Sequence, residues 1–319
     1  MMRPERKEIL LATPLLIDTD PGIDDALALL LAWSSPEVCV DVVTTVAGNV
    51  TVERATTNVF RLLTLRRPEP PPVVAMGAAE PLARQLVTAT RYHGEDGLGD
   101  LTDWPKTENS WPLEAVPVIL DKARRAQRLL TLVALGPLTN LALALKADAA
   151  ALGFVGRIVA MGGAVDVPGN VTPASEFNMY VDPEAAHRVL AANLPLDLVP
   201  LDATRQAVLP RAGLKKALAR TPGPLASRIT AFAERGFRID HSSGSQGMVL
   251  HDPLAVALAI DPTLAEWEAV RLEIGPEGET RRASGEPNCR IATRIDTTRF
   301  LRMFLDRLCP APPRPRASS

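Results

Sequence analysis

The chain has 319 residues, and 46% of them are hydrophobic, which is enough to form the core of one large domain or two smaller ones. Its formal net charge of −2 predicts no general attraction to nucleic acid or to an anionic membrane, and no apolar run approaches the roughly 18 residues that a membrane-spanning helix needs. Cys39, Cys289 and Cys309 are scattered, which favours reduced thiols in the cytoplasm over a disulfide framework.

The predicted elements begin with a short aliphatic strand at Leu15–Ile17, a turn at Pro21-Gly22 and a helix-forming Ala/Leu run after Asp25. Strands and helices then alternate along the chain. Further strands are predicted at Val38–Val46, Val73–Met76, Leu129–Leu135, Arg157–Met161 and Leu196–Leu201, helices at Thr51–Leu65, Ala115–Arg128, Leu138–Leu145, Pro183–Ala192 and Pro253–Ile260, and a final strand and helix within Ala292–Leu308.

This alternation predicts an α/β fold in which helices cover both faces of a mostly parallel sheet. No linker divides the chain, so residues 1–309 are predicted to form a single domain, and the proline-rich residues 310–319 a disordered tail. The least regular part is Arg211–Gly247, which is helix-like at first and then polar and glycine-rich from Gly236. Such a segment is predicted to act as a lid or substrate loop.

Four aspartates, Asp18, Asp20, Asp24 and Asp25, fall within eight residues where the first strand meets the first helix. Side chains at the carboxyl end of a strand in an α/β sheet point into the crevice where such folds bind ligands. Two like charges about 4 Å apart repel by on the order of 4 kcal/mol at a partly solvated site, and no lysine or arginine occurs between Leu10 and Glu53. A single aspartate here would be read as a helix-dipole partner or a solvated turn residue. Four together predict a site for a divalent cation bound by oxygen.

Polar residues also follow the later predicted strands, where they are poor choices for structure alone. They are Asn49 after the second strand, Asn170, Glu176 and Asn178 after the glycine-rich turn at Gly162-Gly163, and His251-Asp252 before a proline and a helix. Because the strands are predicted to be parallel, these residues are candidates for one binding crevice at the carboxyl edge of the sheet.

Taken in order, these blocks resemble those of the nucleoside hydrolases, the inosine-uridine-preferring nucleoside N-ribohydrolase family. The resemblance extends from residue 18 to residue 253, and therefore over most of the chain. The matching blocks are Asp18–Ala26, Thr44–Asn49, His93-Gly94, Leu135–Asn140, Met161–Gly163, Asn170, Glu176–Asn178 and His251–Pro253. The resemblance implies a single α/β domain with a mixed, mainly parallel central sheet flanked by helices.

The resemblance also implies a calcium ion at the strand ends, bound by the carboxylates of Asp20, Asp25 and Asp252 and by the backbone carbonyl of Leu135. Such an all-oxygen shell suits calcium better than magnesium. The implied reaction is the hydrolysis of the N-glycosidic bond of ribonucleosides to free base and ribose, in nucleoside salvage or catabolism. In it, Asp20 accepts a proton from a water whose pKa the metal lowers, and Asn49 helps to position that water.

The other residues carried over by the resemblance would bind the substrate. The ribose hydroxyls would be bound by Asp24, Asn178 and Asp252, the 5′-hydroxyl by Asn170 and Glu176, and Met161 would form an apolar wall beside the sugar, unless it is only a core residue at a strand end. A dense set of hydrogen bonds to ribose predicts rejection of a sugar that lacks the 2′-hydroxyl, because buried polar partners would then be unpaired.

The base-binding side is less defined by the resemblance. His251 would protonate the leaving base, although it would equally well support only the helix that follows, and His93 would lie near the base pocket. Phe237, His241 and Met248 are further candidates for lining this pocket. Preference for purine or pyrimidine stays open, and the resemblance implies a homodimer or homotetramer.

Two other functions fit parts of the sequence. A phosphatase of the haloacid dehalogenase type also begins with an aspartate pair after a strand, as in Asp18-Thr19-Asp20, but it does not account for Asp24-Asp25. A protein that binds nucleosides without turning them over is the second alternative. Every matched polar position is present, so the residues give no reason for a loss of activity.

Overall fold

The computed structural model describes residues 12–107 and 112–309. The predicted tail at 310–319 lies outside the described residues. The strands are β1 Thr13–Thr19, β2 Val38–Thr45, β3 Val73–Met76, β4 Leu113–Glu114, β5 Thr131–Ala134, β6 Arg157–Met161, β7 Leu196–Val199, β8 Val208–Leu209, β9 Met248–Val249, β10 Ala265–Val270, β11 Leu272–Ile274, β12 Thr280–Arg282 and β13 Cys289–Ile295. Most predicted strands therefore form within a few residues of their predicted bounds.

Helices separate most of these strands. They are α1 Ile23–Ala32, α2 Val52–Arg66, α3 Thr90–His93, α4 Ala115–Ala126, α5 Thr139–Leu152, α6 Phe177–Val181, α7 Pro183–Ala191, α8 Leu201–Thr204, α9 Arg211–Leu218, α10 Pro224–Ser242, α11 His251–Ile260 and α12 Thr297–Leu308, with short 3₁₀ helices at Gln127–Leu129 and Pro262–Leu264. In the described ranges, none of these helices has both the length and the apolar character that crossing a membrane requires.

The central sheet joins nine of the described strands in the order β10-β13-β7-β6-β5-β1-β2-β3-β4. Neighbouring strands are parallel from β13 to β4, and β10 is antiparallel to β13 at one edge. This arrangement confirms the prediction of a mixed, mainly parallel sheet in a single α/β domain. The chain proceeds from β1 through β2, β3 and β4 on one side and through β5, β6 and β7 on the other. The strand order thus reverses at β1, which is where open α/β sheets form a ligand-binding crevice.

Both faces of the sheet are covered, as the apolar character of β1 predicts. Leu15 and Ile17 pack into one hydrophobic cluster, together with residues of α1, α10, α11 and α12, whereas Leu16 packs into the other, with residues of α4, α5 and α7. All ten residues of α1 are buried, which explains why its sequence is aliphatic on every side rather than amphipathic. The rigid packing of α1 fixes Asp24 and Asp25 at its amino-terminal end.

The structure differs from the sequence prediction in the region from Arg211 to Gly247. Helix α10 does not end near Gly236 but continues to Ser242, so the expected loss of regular structure from Gly236 was wrong. A Cβ at Gly236 would lie 2.5 Å from the Sδ of Met248. The glycine therefore permits a close helix contact with Met248 rather than providing a break in the helix.

Candidate active site

A cavity of about 680 Å³ opens at the carboxyl edge of the sheet, beside the reversal of strand order at β1. It brings together side chains from segments that are far apart in the sequence. Ten of the predicted site residues line it, namely Asp24, Asn49, His93, Leu135, Met161, Asn170, Glu176, Asn178, His251 and Asp252. The other two, Asp20 and Asp25, are fully buried next to this wall and belong to the same acidic cluster.

Three buried carboxylates converge at this cavity. Oxygens of Asp24, Asp25 and Asp252 all lie within 4.8 Å of one another. Asp24 and Asp25 are in the first turn of α1, and Asp252 is in the first turn of α11, so the positive ends of two helix dipoles face the carboxylates and partly offset their repulsion. Oxygen donors at this spacing form a set that a hard divalent cation can occupy.

Asp20 has one anchored and one unpaired oxygen. Its Oδ2 accepts the backbone N–H of Asn49 at 2.6 Å, and its Oδ1 is buried without a hydrogen-bond partner among the residues that the structure describes. Glycines leave room for this carboxylate, because a Cβ at Gly48 would lie 2.1 Å from Oδ2 and a Cβ at Gly136 would lie 2.6 Å from Oδ1. A buried acceptor without a protein partner is an atom that a metal ion, a water or a substrate hydroxyl could satisfy.

Asp25 is held more tightly than Asp20. It accepts hydrogen bonds from the hydroxyl of Thr19 at 2.5 Å, from the backbone N–H of Gly22 at 2.9 Å and from the side-chain amide of Asn49 at 3.0 Å. Asn49 therefore bridges two acids, since its backbone binds Asp20 and its side chain binds Asp25. These contacts position the two acids relative to each other, and the predicted role of Asn49 in positioning a water stays a prediction.

Burial and mutual repulsion shift the pKa values of these acids. Burial raises the pKa of Asp24 to about 8, and the neighbouring charge of Asp25 adds to that effect. The pKa values of Asp20 and Asp252 are also raised well above the ordinary aspartate value, first by burial and then by the charges of the other acids in the cluster. A nearby cation would reverse this effect by favouring the ionised carboxylates.

Asp18 belongs to a separate hydrogen-bond network. Its Oδ1 accepts the Thr44 hydroxyl at 2.5 Å and the Asn140 side-chain amide at 2.7 Å, and burial raises its pKa to about 6. These bonds join β1, β2 and α5 directly behind the cavity. Asp18 thus supports the strand ends that carry the acidic cluster.

Asn178 and Glu176 organise the opposite wall of the cavity. The side-chain amide of Asn178 donates to the carbonyl oxygens of Leu135 at 2.7 Å and Met161 at 3.2 Å. Glu176 caps α6 by accepting the backbone N–H groups of Gly163 and Asn178, both at 3.0 Å, and that of Met179 at 3.2 Å. The structure therefore fixes both side chains through backbone groups before any ligand binds.

Asn170 completes this wall. Its Oδ1 accepts the backbone N–H of Phe177 at 3.0 Å, while the residue itself is exposed at the rim of the cavity. Asn170 and Glu176 come together because both bind the backbone at the start of α6. This is the region that the sequence predicted for contacts to the 5′-hydroxyl.

Two histidines reach the cavity from different elements. His93 accepts the backbone N–H of Ile23 at Nδ1, 2.9 Å away, so its proton lies on Nε2. The Nδ1 of His251 lies 2.7 Å from the Thr204 hydroxyl. Burial lowers the pKa of each histidine to about 4, and for His251 the positive charge of Arg205 adds to the effect. Both imidazoles are therefore neutral near pH 7, and each can present one ring N–H.

Similarity to known proteins identifies the family of this chain. The sequence model of the family described as inosine-uridine preferring nucleoside hydrolase matches residues 15–302. The chain belongs to this family of enzymes. It is a nucleoside hydrolase that acts as an N-ribohydrolase, and this assignment leaves the dehalogenase-type phosphatase and the binding protein without turnover unsupported.

Curated relatives are similar over nearly their full length. The chain is 36% identical to the pyrimidine-specific ribonucleoside hydrolase RihA of Salmonella agona over 317 residues, which cover 93% of this chain and 99% of the relative. It is also 36% identical to the RihA of Shewanella sp. strain MR-4 over 312 residues, covering 93% of this chain and 96% of the relative.

Solved structures of nucleoside hydrolases share the fold. A plant nucleoside hydrolase, PpNRh1, superimposes with a TM-score of 0.87 at 31% identity, over 94% of this chain and all of that one. The purine-preferring ribonucleoside hydrolase of Gardnerella vaginalis gives a TM-score of 0.85 at 29% identity, over 93% of this chain and 98% of that one. Enzymes named as nucleoside hydrolases therefore share this architecture.

The base side of the cavity in this nucleoside hydrolase differs from the sequence prediction. Phe237 and Met248 are buried in the core and His241 is exposed on the outer side of α10, so none of the three lines the cavity, contrary to expectation. The lining instead includes Tyr92, Arg205, Ile239, Asp240, Ser243, Gly244, Ser245 and Val249. The prediction missed the lining residues of α10 because it ended regular structure near Gly236, whereas extending the helical period would have placed Ile239 and Ser243 on one face. Tyr92 and Arg205 lie on other segments and had no such signal in the sequence.

Replacing Gly48 with alanine is expected to impair this nucleoside hydrolase strongly. The new Cβ would overlap the Oδ2 of Asp20, so the carboxylate must move and lose its bond to the Asn49 N–H. We expect kcat to fall by about 10²-fold, as is typical when a catalytic group is misplaced by about 1 Å.

The matched control for Gly48→Ala is Gly213→Ala in α9, where the nearest atoms lie 3.9 Å from the added methyl group. Steady-state ribose release and thermal melting, measured on both variants, separate misplacement of Asp20 from unfolding. A Gly48→Ala enzyme with wild-type kcat would contradict this account of Asp20.

Proposed function

We propose that this enzyme hydrolyses ribonucleosides with bound calcium and releases ribose and free base for nucleoside salvage or catabolism. The observation that carries the proposal is the buried acidic cluster beside a cavity large enough for a nucleoside. Oxygens of Asp24, Asp25 and Asp252 lie within 4.8 Å of one another beside this cavity, and Asp20 has a buried carboxylate oxygen without a hydrogen-bond partner among the described residues.

The chemistry of the proposed donor set suits calcium, and two of its carboxylates, Asp25 and Asp252, belong to the group whose oxygens lie within 4.8 Å of one another. The third carboxylate of that group is Asp24 rather than the predicted Asp20. Asp20, Asp25 and Asp252 offer carboxylate oxygens, and the Leu135 carbonyl, which already accepts one hydrogen bond from Asn178, keeps a second lone pair. A shell of oxygens completed by water and sugar hydroxyls suits the six to eight ligands and flexible geometry of calcium. When bound, calcium would offset the charge of the acids and lower the pKa of a bound water.

Asp20 is the proposed proton acceptor. Its carboxylate is buried, is held by the Asn49 N–H and has a free oxygen for a water proton. Asn49 also binds Asp25, so it keeps the two acids in fixed relative positions. A general base works only when it is held within hydrogen-bond reach of the proton it removes, and this arrangement provides that constraint.

The sugar is proposed to bind between the acidic cluster and the Asn178 wall. Asp24, Asn178 and Asp252 would bind the ribose hydroxyls, and Asn170 and Glu176 the 5′-hydroxyl, while Met161 packs beside the ring. Cleavage of an N-glycosidic bond builds positive charge on the sugar, as in other oxocarbenium-like transition states. Fixed carboxylates next to the ring stabilise that charge more than they stabilise the neutral substrate.

The leaving base is proposed to lie beside His93 and His251. A neutral imidazole can donate a ring N–H to the departing nitrogen or oxygen of the base, and Thr204 fixes the orientation of His251 for this purpose. His93, held by the Ile23 N–H, is proposed to bind the base rather than to protonate it.

Pyrimidine ribonucleosides are the proposed preferred substrates. The support is the 36% identity, over 93% of the chain, to relatives named as pyrimidine-specific. Incubation with uridine, cytidine, inosine and adenosine in a phosphate-free buffer tests both the hydrolysis of ribonucleosides and the preference for pyrimidines. We expect reducing ribose from the pyrimidine nucleosides, and no sugar release from any of the four would refute the hydrolase activity.

Removal of the 2′-hydroxyl from the substrate is expected to lower kcat/KM by roughly 10²-fold or more, because buried acceptors of the cluster would be unpaired. The measurement compares uridine with 2′-deoxyuridine under identical conditions. Equal kcat/KM for uridine and 2′-deoxyuridine would exclude the proposed ribose contacts.

Two broader expectations remain predictions. The family resemblance predicts a homodimer or homotetramer, which the mass of the purified protein in solution would establish. A cytoplasmic location is predicted from Cys39, Cys289 and Cys309, which are all free thiols in the structure.

A further inference from the structure

Asp240 is an acid in the cavity that the proposed mechanism does not use. It lies on α10, only 9% of its surface is exposed, and its side chain lines the same cavity as the ribose-binding residues. It comes from a different element than the acidic cluster, although its charge lies close enough to contribute to the raised pKa of Asp24, and it lines the cavity together with Tyr92, Ile239 and Val249.

The Asp240 carboxylate accepts a hydrogen bond from its protein surroundings. The backbone N–H of Val249 donates to its Oδ2 at 2.8 Å, and the Tyr92 side chain lies close enough that burial and the Asp240 charge together raise the pKa of its phenol. The contact with Val249 uses Asp240 as an acceptor and favours its ionised form, although burial raises the pKa of Asp240. A carboxylate has about four lone-pair directions, so acceptor capacity remains on the side that faces the cavity.

No lysine or arginine neutralises Asp240 among the ion pairs of the described residues. Arg235, on the same helix, donates instead to the carbonyl of Tyr92 at 2.9 Å and to Asp100 at 3.0 Å, and Arg205, which also lines the cavity, donates to the carbonyl of Gly169 at 3.0 Å. A nearly buried carboxylate without a basic partner gains most from a ligand that offers N–H groups. The base of a bound nucleoside is the part of the substrate that can do so.

The structure assigns Asp240 as a specificity residue that selects nucleosides whose base carries an exocyclic amino group. This inference rests on the proposed function, since it concerns the base of the same substrate. Cytosine presents an amino group with two N–H donors at C4, where uracil presents a carbonyl oxygen. Acids pair with the cytosine amino group in nucleic-acid recognition for the same reason. A carboxylate that faces the C4 oxygen of uracil is repelled by it. The N3–H of uracil is a donor, but it lies between two carbonyl oxygens, so a carboxylate that approaches it is repelled by them as well.

The expected result is a preference for cytidine over uridine. A hydrogen bond to a charged group discriminates by roughly tenfold to 100-fold in kcat/KM. Asp240→Asn should bring the ratio of the two kcat/KM values close to one, because an amide can offer either an oxygen or an N–H to the base. The ratio does not depend on the fraction of active enzyme, so partial misfolding of the variant does not affect it.

Two further variants separate recognition of the base from support of the fold. Glu234→Gln makes the same acid-to-amide change on the exposed side of α10 and should leave the ratio unchanged. Tyr92→Phe removes the phenol but keeps the Asp240 carboxylate, so the cytidine preference should persist.

A wild-type enzyme that cleaves uridine as well as cytidine, or better, would overturn the inference. An Asp240→Asn variant that keeps the wild-type ratio of kcat/KM values would also overturn it, because Asp240 would then serve only to hold α10 against Val249 by a hydrogen bond. These outcomes differ from failure of the proposed function, in which none of the ribonucleosides would release ribose.

Discussion

Replacing Asp20 with asparagine is expected to lower kcat by about 10³-fold or more, within the range that loss of a positioned general base produces. The amide has nearly the same shape and can still accept the Asn49 N–H, but it cannot take a proton from water. It also places a neutral group where the structure has an unpaired, buried carboxylate oxygen. Ribose release from a saturating pyrimidine nucleoside is the measurement.

The control for Asp20→Asn is Asp41→Asn on β2. Asp41 is a partly exposed acid that pairs with Lys122 on the surface, so the same chemical change there should leave kcat within about twofold of wild type. Thermal melting of both variants confirms that they are folded. Comparable rates for Asp20→Asn and Asp41→Asn would remove Asp20 from the mechanism.

Calcium dependence of the Asp20→Asn variant distinguishes a base from a metal ligand. If Asp20 only contributed an oxygen to calcium, a large excess of calcium would restore turnover by mass action. We expect no recovery once the calcium-dependent rise in melting temperature is saturated, because the proton acceptor is missing. Recovery of kcat to the wild-type value would assign Asp20 to metal binding alone.

The acidic side of the site could be predicted from the sequence for a simple physical reason. Asp20 and Asp25 lie next to a buried aliphatic strand and an apolar helix, and the carboxyl ends of parallel strands meet at one edge. Polar residues such as Asn49 and Asp252 could be assigned to the same edge, because the strands were predicted to be parallel. The carbonyl of Leu135 and the roles of Asp20, Asp25 and Asp252 as metal ligands came only from the family resemblance, since the order of the strands could not be predicted from the sequence.

The base side could not be predicted in the same way. Asp240 and Tyr92 lie on helices that border the sheet, and their approach depends on tertiary packing such as the close contact between Gly236 and Met248. A glycine in a polar segment suggested a loop, although here it serves helix packing. The edge strand β10, with two glutamates in its six residues, was missed because its half-exposed sequence lacks a clear hydrophobic pattern.

Calcium removal is expected to have the second large effect. Without a cation, the carboxylates of Asp24, Asp25 and Asp252 lie within 4.8 Å of one another in a buried site, and their repulsion opposes folding. We expect exhaustive treatment with a chelator to lower kcat by on the order of 10²-fold or more. The melting temperature should fall by several degrees, because a ligand at about 100 times its Kd contributes about 2.7 kcal/mol to stability.

Readdition of metals tests which ion the site prefers. Calcium should restore both the rate and the melting temperature at lower concentrations than magnesium, because magnesium requires near-ideal octahedral geometry and retains its water ligands. A chelator-treated enzyme with unchanged kcat and unchanged melting temperature would refute the metal site.

The Asp252→Asn variant tests directly whether the metal stabilises the fold through Asp252. Removing one charge from the cluster relieves part of the repulsion, so the metal-free variant should melt at a higher temperature than the metal-free wild type, while calcium should raise its melting temperature by less. Both changes follow from electrostatics alone and do not require turnover. Glu234→Gln, which alters a surface acid on α10, should keep the full calcium-dependent shift. If Asp252→Asn and Glu234→Gln respond to calcium equally, Asp252 is not a ligand, and the acidic cluster needs a different explanation.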